Sequence, residues 1–171
     1  MTFEEVYARF RTPVWRLACR LTGSETEALD ATQEIFLRVW KGLDGFRGEA
    51  RLSTWVFQIA WNYLRWYRRR TGAQPTLLTV DGVGEEFAAP PLADDRPDPE
   101  RRATAAQLLD RVEAAIDELP EHYRVVVWLR DAEELSYEQI AEVLDLPIGT
   151  VRSRLARARA SLHRTLDGRD G

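Results

Sequence analysis

Apolar residues recur every three or four positions over most of the chain, which is the spacing of amphipathic α-helices. In the first half the pattern predicts three helices, each opened by a Ser or Thr that can cap the N-terminus. They run from Thr2 to Thr22, from Ser24 to about Leu43, and from Ser53 to about Arg70. Pro13 is expected to kink or interrupt the first of them.

The second half predicts four more helices, the first of which starts near Arg101 and the second at Pro120. Between the two halves the pattern is lost over residues 71–100, which hold five prolines and seven acidic but one basic side chain. Such a stretch is typical of a linker. The sequence therefore predicts an all-α protein with two small helical bundle domains, 1–71 and 101–168, joined by a flexible acidic linker, 72–100.

Each predicted helix has an apolar side that is expected to be buried. On the second helix this side includes Trp40, and on the fourth it includes Leu108 and Leu109. Leu37 points the other way, into a polar surface with Asp30, Gln33 and Glu34. An exposed leucine ringed by polar groups is either a contact for a partner protein or an isolated surface residue, and both alternatives stay open.

The last predicted helix is strongly basic. Residues 147–166 hold five arginines and no acid, and the helix is expected to start at Gly149 or Thr150. Ser136 and Gln139 form a capping-box pattern at the start of the preceding helix, and only Asp145 to Pro147 separate the two. Two helices joined by so short a turn, with the second one basic outward, predict a DNA-binding helix-turn-helix. A structural hairpin with a solvated arginine surface is the alternative.

The third helix carries an unusual mixture of side chains opposite its apolar side. Aromatic, amide and guanidinium groups alternate there, and Trp61 lies at the edge. The residues of this face are Trp55, Gln58, Asn62, Arg65, Trp66 and Arg69. Aromatic rings stack on unpaired bases and arginines hold the phosphate backbone, so this face favours binding of single-stranded nucleic acid. The alternative is that another helix covers some of these tryptophans.

Composition excludes several other classes of protein. Cys19 is the sole cysteine, so no internal disulfide and no cysteine cluster for zinc can form. His122 and His163 have no metal-ligand spacing, and no metal or cofactor site is predicted. The sequence shows neither a signal peptide nor a run of about 20 apolar residues, so we expect a soluble, cytoplasmic protein. The net charge of −4 argues against a protein that coats nucleic acid unaided.

Four stretches together resemble the extracytoplasmic-function (ECF) sigma factors of the bacterial sigma-70 family. They are DATQEIFLRVW (30–40), FRGEARLSTWVFQIAWN (46–62), LPEHYRVV (119–126) and SYEQIAEVLDLPIGTVRSRLARAR (136–159). The resemblance implies a transcription initiation factor, not an enzyme, with a promoter-melting domain followed by a domain that reads the upstream promoter element. It implies core RNA polymerase and promoter DNA as partners, and an anti-sigma factor as an inhibitor.

The resemblance also implies roles for individual residues. The contact with the clamp helices of core polymerase would use Asp30, Gln33, Glu34 and Leu37, while the C-terminal domain would meet the flap. The minus-10 element would be bound and melted by Phe46, Arg47, Arg51, Trp55, Gln58, Asn62 and Arg65. The minus-35 element would be read by the last helix through Thr150, Arg152, Ser153, Arg154, Ala156 and Arg157, with Thr150 and Arg154 on phosphates.

Two other functions compete with this interpretation. The chain could be a stand-alone helix-turn-helix regulator whose first half dimerises or binds a ligand. It could also be an adaptor that docks on polymerase and contacts no DNA. One departure from the family pattern concerns Ala156, which is small where some relatives carry a larger side chain, so its contact with a base would be a methyl group or nothing.

Overall fold

The computed structural model describes residues 1–72 and 99–168, with side chains from residue 107 onward in the second range. In these two stretches every regular element is helical, and the helices α1 to α7 run as follows: Phe3–Thr22, Glu25–Leu43, Leu52–Thr71, Pro99–Asp117, Glu121–Val127, Tyr137–Leu144 and Ile148–Asp167. A π-helical turn, Trp128–Ala132, continues α5. The prediction of an all-α protein is confirmed.

The chain divides into two compact units. The first holds α1, α2 and α3, and the second holds α4, α5 and α7. The residues of α6 are divided, since Ala141–Asp145 group with the first unit and the preceding residues with the second. The predicted linker 72–100 lies mostly outside the described residues, but α4 already begins at Pro99, two residues earlier than expected. The remaining limits of the predicted domains stay predictions.

Most of the residues predicted to start or end the helices of the first unit do so in the structure. Thr2 forms a full capping box with Glu5, and Gly23 ends α1 with a φ of 82°. Ser24 caps α2 by accepting a hydrogen bond from the backbone N–H of Glu27. The prediction for Ser53 is wrong, since α3 starts one residue before it, at Leu52, and Arg51 is the capping residue without a side-chain hydrogen bond.

The first unit buries one side of each of its three helices against the others. The largest fully buried side chains are Val6 and Val14 of α1, Ile35 of α2, and Phe57 and Leu64 of α3. The prediction for Pro13 is wrong in so far as α1 runs uninterrupted through it. Cys19 also lies in this core, where burial raises the pKa of its thiol to about 12.

Trp40 does not belong to the buried side of α2 to which the sequence pattern assigned it. Its side chain is 58% exposed, whereas its neighbour Val39 is fully buried. Successive residues of a helix are turned by about 100°, so one of two neighbours points away from the core. Here α2 packs against α1 and α3 through Val39, and Trp40 lies on the same side as Leu37, three residues earlier.

In the second unit the core lies around α5 and α7. Its fully buried side chains include Val126, Leu129, Ile140, Val151 and Leu155. α4 packs on α7, but within its described side chains only Ala115 is buried. Leu108 and Leu109 are 56% and 64% exposed, so the prediction that they are buried is wrong.

None of the described helices is long and apolar enough to cross a membrane. Within the same stretches, His, Cys, Asp and Glu side chains form no group that could hold a metal ion.

Candidate nucleic-acid interface

An aromatic pair stands where the loop after α2 meets the start of α3. The ring of Phe46 lies 5.0 Å from that of Trp55, centroid to centroid, at 39°. A tight turn places Phe46, because the N–H groups of Gly45 and Phe46 donate to the carbonyls of Gly42 and Leu43, each at 3.1 Å. Trp55 lies in the first turn of α3, where its N–H donates to the Arg51 carbonyl.

These two rings line a cavity of about 380 Å³, which we call the Phe46–Trp55 pocket. Its wall comprises Gly45, Phe46, Arg47, Glu49, Ala50 and Trp55. The volume falls within the roughly 300–1,000 Å³ of typical small-ligand sites. Since the pocket combines flat aromatic faces with a guanidinium group, it can accept a planar, polar ring such as a nucleobase.

Trp55 is less exposed than the sequence pattern suggests. It is half-buried, with Phe46 against its ring, so that it forms one wall of a pocket and does not project freely into water. Further along the same face, Gln58 and Asn62 are exposed. Arg47 and Arg51, on the loop before α3, are exposed as well.

The other tryptophans of α3 differ from one another. Trp61 is half-buried, and the guanidinium group of Arg65 lies 5.9 Å from its ring. Its indole N–H is buried and has no hydrogen-bond partner among the residues that the structure describes. Trp66 is 48% exposed, with Tyr63 at 5.7 Å and the Arg70 guanidinium at 5.3 Å from its ring. The alternative that another helix covers the α3 tryptophans therefore does not hold for Trp66 within the first unit, where about half of the side chain stays exposed.

On α2, Leu37 and Trp40 form an exposed apolar surface, which we call the Leu37 face. Leu37 is 49% exposed, and Asp30, Gln33 and Glu34 around it are exposed as well. Sequence reasoning missed Trp40 here, although its spacing of three residues from Leu37 is the signal that would have found it. Two large apolar side chains side by side in a polar rim are typical of a protein–protein contact.

Beside the Leu37 face, charged and aromatic groups of α2 and α3 interlock. Arg38 pairs with Glu34, and its guanidinium group also lies 4.5 Å from the Tyr63 ring. Burial and the negative charge of Glu34 raise the pKa of the Tyr63 hydroxyl. Tyr63 therefore stays neutral, and its ring ties α3 to α2 next to the exposed surface.

The second unit presents the predicted helix-turn-helix elements. Ser136 and Gln139 form the expected capping box at the start of α6, with hydrogen bonds of 2.8 and 3.2 Å. Asp145 turns the chain with a left-handed φ of 53°, and Pro147 caps α7. The helix begins at Ile148, one residue before the expected range, because the Thr150 and Val151 N–H groups already donate to the Pro147 carbonyl.

α7 separates a buried and a basic side as its pattern predicts. Val151, Leu155 and Ala158 are buried, whereas Leu162 and Leu166 are only half-buried. Arg152, Ser153, Ala156 and Arg157 are exposed, and we call these four side chains the α7 arginine face. Thr150 and Arg154 are half-buried at its margin.

Two details sharpen the chemistry of this face. The hydroxyl of Ser153 donates to the Thr150 carbonyl at 3.0 Å, so its oxygen remains available as an acceptor. The first turn of α7 contains no acidic residue and its cap makes no side-chain hydrogen bond. Its free N–H groups and the positive end of the helix dipole therefore favour an anion such as phosphate.

Comparisons with known families match both units. Residues 6–74 match the family model of sigma-70 region 2, and residues 109–162 match that of sigma-70 region 4. The ECF RNA polymerase sigma-E factor of Escherichia coli K12 is 34% identical over 161 residues, which cover 94% of this chain and 84% of that protein. The RNA polymerase sigma-H factor of Pseudomonas aeruginosa is 33% identical, with 96% and 86% covered.

Solved structures show the same fold. The structure of CnrH in complex with the cytosolic domain of CnrY superposes with a TM-score of 0.63 at 26% identity, covering 97% of this chain and 88% of that one. The sigma factor RpoE of Bartonella quintana, solved in complex with the anti-sigma factor NepR, gives a TM-score of 0.64 at 24% identity with 96% of both chains covered.

The region 2 and region 4 matches define the class of protein as a sigma-70 transcription initiation factor. Because the relatives that are 34% identical over most of their length are ECF sigma factors, the chain belongs to the ECF sigma factor family. It is thus an alternative sigma factor, as the sequence motifs predicted. Neither the stand-alone regulator nor the adaptor finds support in these comparisons.

Proposed function

We propose that this sigma factor recruits core RNA polymerase to promoters with two elements and binds each element with a different unit. The Phe46–Trp55 pocket and the exposed amides of α3 take the minus-10 element. The α7 arginine face takes the minus-35 element. The observation that carries this proposal is the pocket itself, since an aromatic-walled cavity beside arginine side chains suits an unstacked base.

Melting at minus-10 would follow from binding of the separated strand, without ATP. Unstacking a base costs a few kcal/mol, and each base that stacks on an aromatic side chain returns about 1–3 kcal/mol. Trp55 and Phe46 would hold the displaced base, while Asn62 and Gln58 hydrogen-bond to base edges beyond it. The groups that hold the phosphate backbone would be the three arginines along the strand: Arg47, Arg51 and Arg65.

Reading at minus-35 would use α7 in the major groove. Arg152 and Arg157 are exposed on the outward side, where a guanidinium group can bind a guanine edge bidentately. Ser153 and Ala156 leave room for a close approach, with a methyl contact at most from Ala156. Thr150 lies in the first turn of α7, whose cap makes no side-chain hydrogen bond, and Arg154 lies about one turn further along. Both are half-buried at the margin of the face, in a position suited to phosphate.

Core polymerase would bind the Leu37 face. The predicted contact residues Asp30, Gln33, Glu34 and Leu37 are all exposed, and Trp40 extends their surface by a second large apolar side chain. We assign this face to the clamp helices and leave the flap to the second unit. Because a few residues near the centre of an interface carry most of its energy and tryptophan is enriched among them, Trp40 should be a hot spot, with Leu37 packed beside it.

We also propose an anti-sigma factor as the inhibitor, with the cytoplasm as the site of action. The support is that the two similar sigma-type structures were solved as complexes, one with the cytosolic domain of CnrY and one with the anti-sigma factor NepR. Such an inhibitor would compete for the Leu37 face or for the DNA-binding faces.

The proposal is tested by mixing the protein with core polymerase and a library of promoter fragments and sequencing the transcript starts. A sigma factor of this kind selects starts that share two separate sequence elements upstream. Starts without any common element, or a common inverted repeat in place of two different elements, would refute the proposal.

The polymerase contact is tested by Leu37→Asp. A charge in the centre of the Leu37 face should abolish capture of the protein by core polymerase. Its thermal unfolding should change little, because the Leu37 side chain is 49% exposed. The matched control is Leu109→Asp, which makes the same change at an exposed leucine of α4 and should leave capture intact. Unchanged capture of the Leu37 variant would remove this face from the interface.

A further inference from the structure

Gly42 is a glycine for which the backbone offers no reason. It lies in the last turn of α2, in helical conformation, whereas the glycines with positive φ are Gly23, Gly48 and Gly72. Within a helix, glycine is the least favourable residue after proline, and alanine is the best. The local structure would therefore be served better by alanine, and the reason for the glycine must lie in its surroundings.

Those surroundings are the indole ring of Trp55. A methyl group added at Gly42 would lie 3.0 Å from Cζ2 of Trp55 and 3.6 Å from Cη2, so the ring would have to move away by a few tenths of an ångström. A methyl group at Gly149, an exposed glycine in the first turn of α7, would meet nothing within 4 Å. Close approach of an aromatic ring thus distinguishes Gly42 from its counterpart.

Gly42 also helps to place Phe46, the other aromatic ring of the pocket. Its carbonyl accepts the 3.1 Å hydrogen bond from Gly45 that starts the turn leading to Phe46. The Trp55 ring lies 5.0 Å from that of Phe46, centroid to centroid. The indole is therefore close to Gly42 as well as to the Phe46 ring, and a shift away from Gly42 changes the space in which a base would bind.

We infer that Gly42 is a positioning residue of the minus-10 site. By leaving room for the benzo edge of Trp55, it sets the depth of that ring and hence the width of the Phe46–Trp55 pocket. This inference rests on the proposed function, because it assigns Gly42 a role in the pocket that binds the flipped base.

The test is Gly42→Ala in the full-length protein bound to core polymerase. Promoter opening, followed by the fluorescence of 2-aminopurine at the flipped position, should fall about tenfold, a size typical of coupled neighbours. Capture by core polymerase should not change. Gly149→Ala, compared by thermal unfolding only, is the control for stability, since it adds the same methyl group to a helix at a place where it meets nothing within 4 Å.

A double variant separates positioning from a general structural defect. Phenylalanine has no atoms at the places of Cζ2 and Cη2, so in a Trp55→Phe background Gly42→Ala should have no further effect on opening. If Gly42→Ala alone also lowers the thermal stability, the inference holds only if Trp55→Phe suppresses the defect in promoter opening. Equal effects of Gly42→Ala in both backgrounds would overturn it.

The two possible failures can be told apart. If Trp55→Ala leaves promoter opening unchanged, the proposed function of the pocket is wrong, and the role of Gly42 falls with it. If Trp55→Ala impairs opening and Gly42→Ala does not, the pocket stands and only the positioning role is refuted.

Discussion

The Phe46–Trp55 pocket and the α7 arginine face differ in the number of chain segments that build them. The α7 face belongs to one helix, so its accessible side chains follow from helical spacing alone. The pocket requires three segments, namely the end of α2, the turn that carries Phe46, and the start of α3. The helix can lose one side chain without moving the others, whereas a small change in one segment of the pocket displaces its opposite wall.

This difference predicts different responses to substitution. On the α7 arginine face, effects should be local and tied to single base pairs, because each side chain reaches the DNA independently. In the pocket, substitutions at different residues should all impair the same step, the opening of the promoter. The following predictions test that contrast, beginning with the largest effect.

Trp55→Ala should lower promoter opening by up to about 100-fold while closed-complex binding stays the same, because about 1–3 kcal/mol of stacking per base is lost. Permanganate reactivity of promoter thymines measures the opening. Trp66→Ala is the matched control, since it removes an exposed tryptophan from the same helix at a position outside the pocket. Equal defects in promoter opening in the two variants would mean that the Phe46–Trp55 pocket has no specific role in opening.

Arg157→Ala should cost about 1–3 kcal/mol of discrimination at one base pair of the minus-35 element and little at the others. Competition binding of the holoenzyme to promoters with every single substitution in that element measures it. Arg164→Ala removes an exposed arginine two turns further along α7 and should leave the discrimination unchanged. A uniform weakening on all sequences would assign Arg157 to phosphate.

Arg159→Ala should have the smallest effect. Arg159 forms a 3.3 Å ion pair with Asp131, but both side chains are about half exposed, and such pairs contribute about 0–1 kcal/mol. Thermal unfolding should shift slightly and promoter choice should not change. A change in promoter preference as large as that of Arg157→Ala would show that the basic face extends to this side of α7.

Much of the fold follows from features that act within one helix. The caps at Thr2 and Ser24, the capping box at Ser136, the stop at Gly23 and the buried row Val151, Leu155 and Ala158 were all visible in the sequence. Each depends on residues no more than a few positions apart. The sigma-factor assignment likewise came from motifs of consecutive residues, the longest of which runs from the start of α6 into α7.

The errors concern residues whose environment is set by other elements. Trp40 and the pair Leu108 and Leu109 fit an apolar stripe, but their exposure depends on how much of α2 and α4 the neighbouring helices cover. The half-burial of Trp55 depends on Gly42 and Phe46, which lie nine or more residues away. Helical spacing places Trp40 beside Leu37, but it carries no information about contacts between different elements.

The most direct measurement of the central claim is photo-crosslinking from both faces in one holoenzyme. A photoreactive phenylalanine replaces Gln58 on α3 in one variant and Ala156 on α7 in another, and each is bound to a promoter that the protein initiates from. The account predicts DNA crosslinks from both variants, near minus 10 for the first and near minus 35 for the second. Crosslinks to polymerase subunits only, or to the same promoter position from both variants, would contradict it.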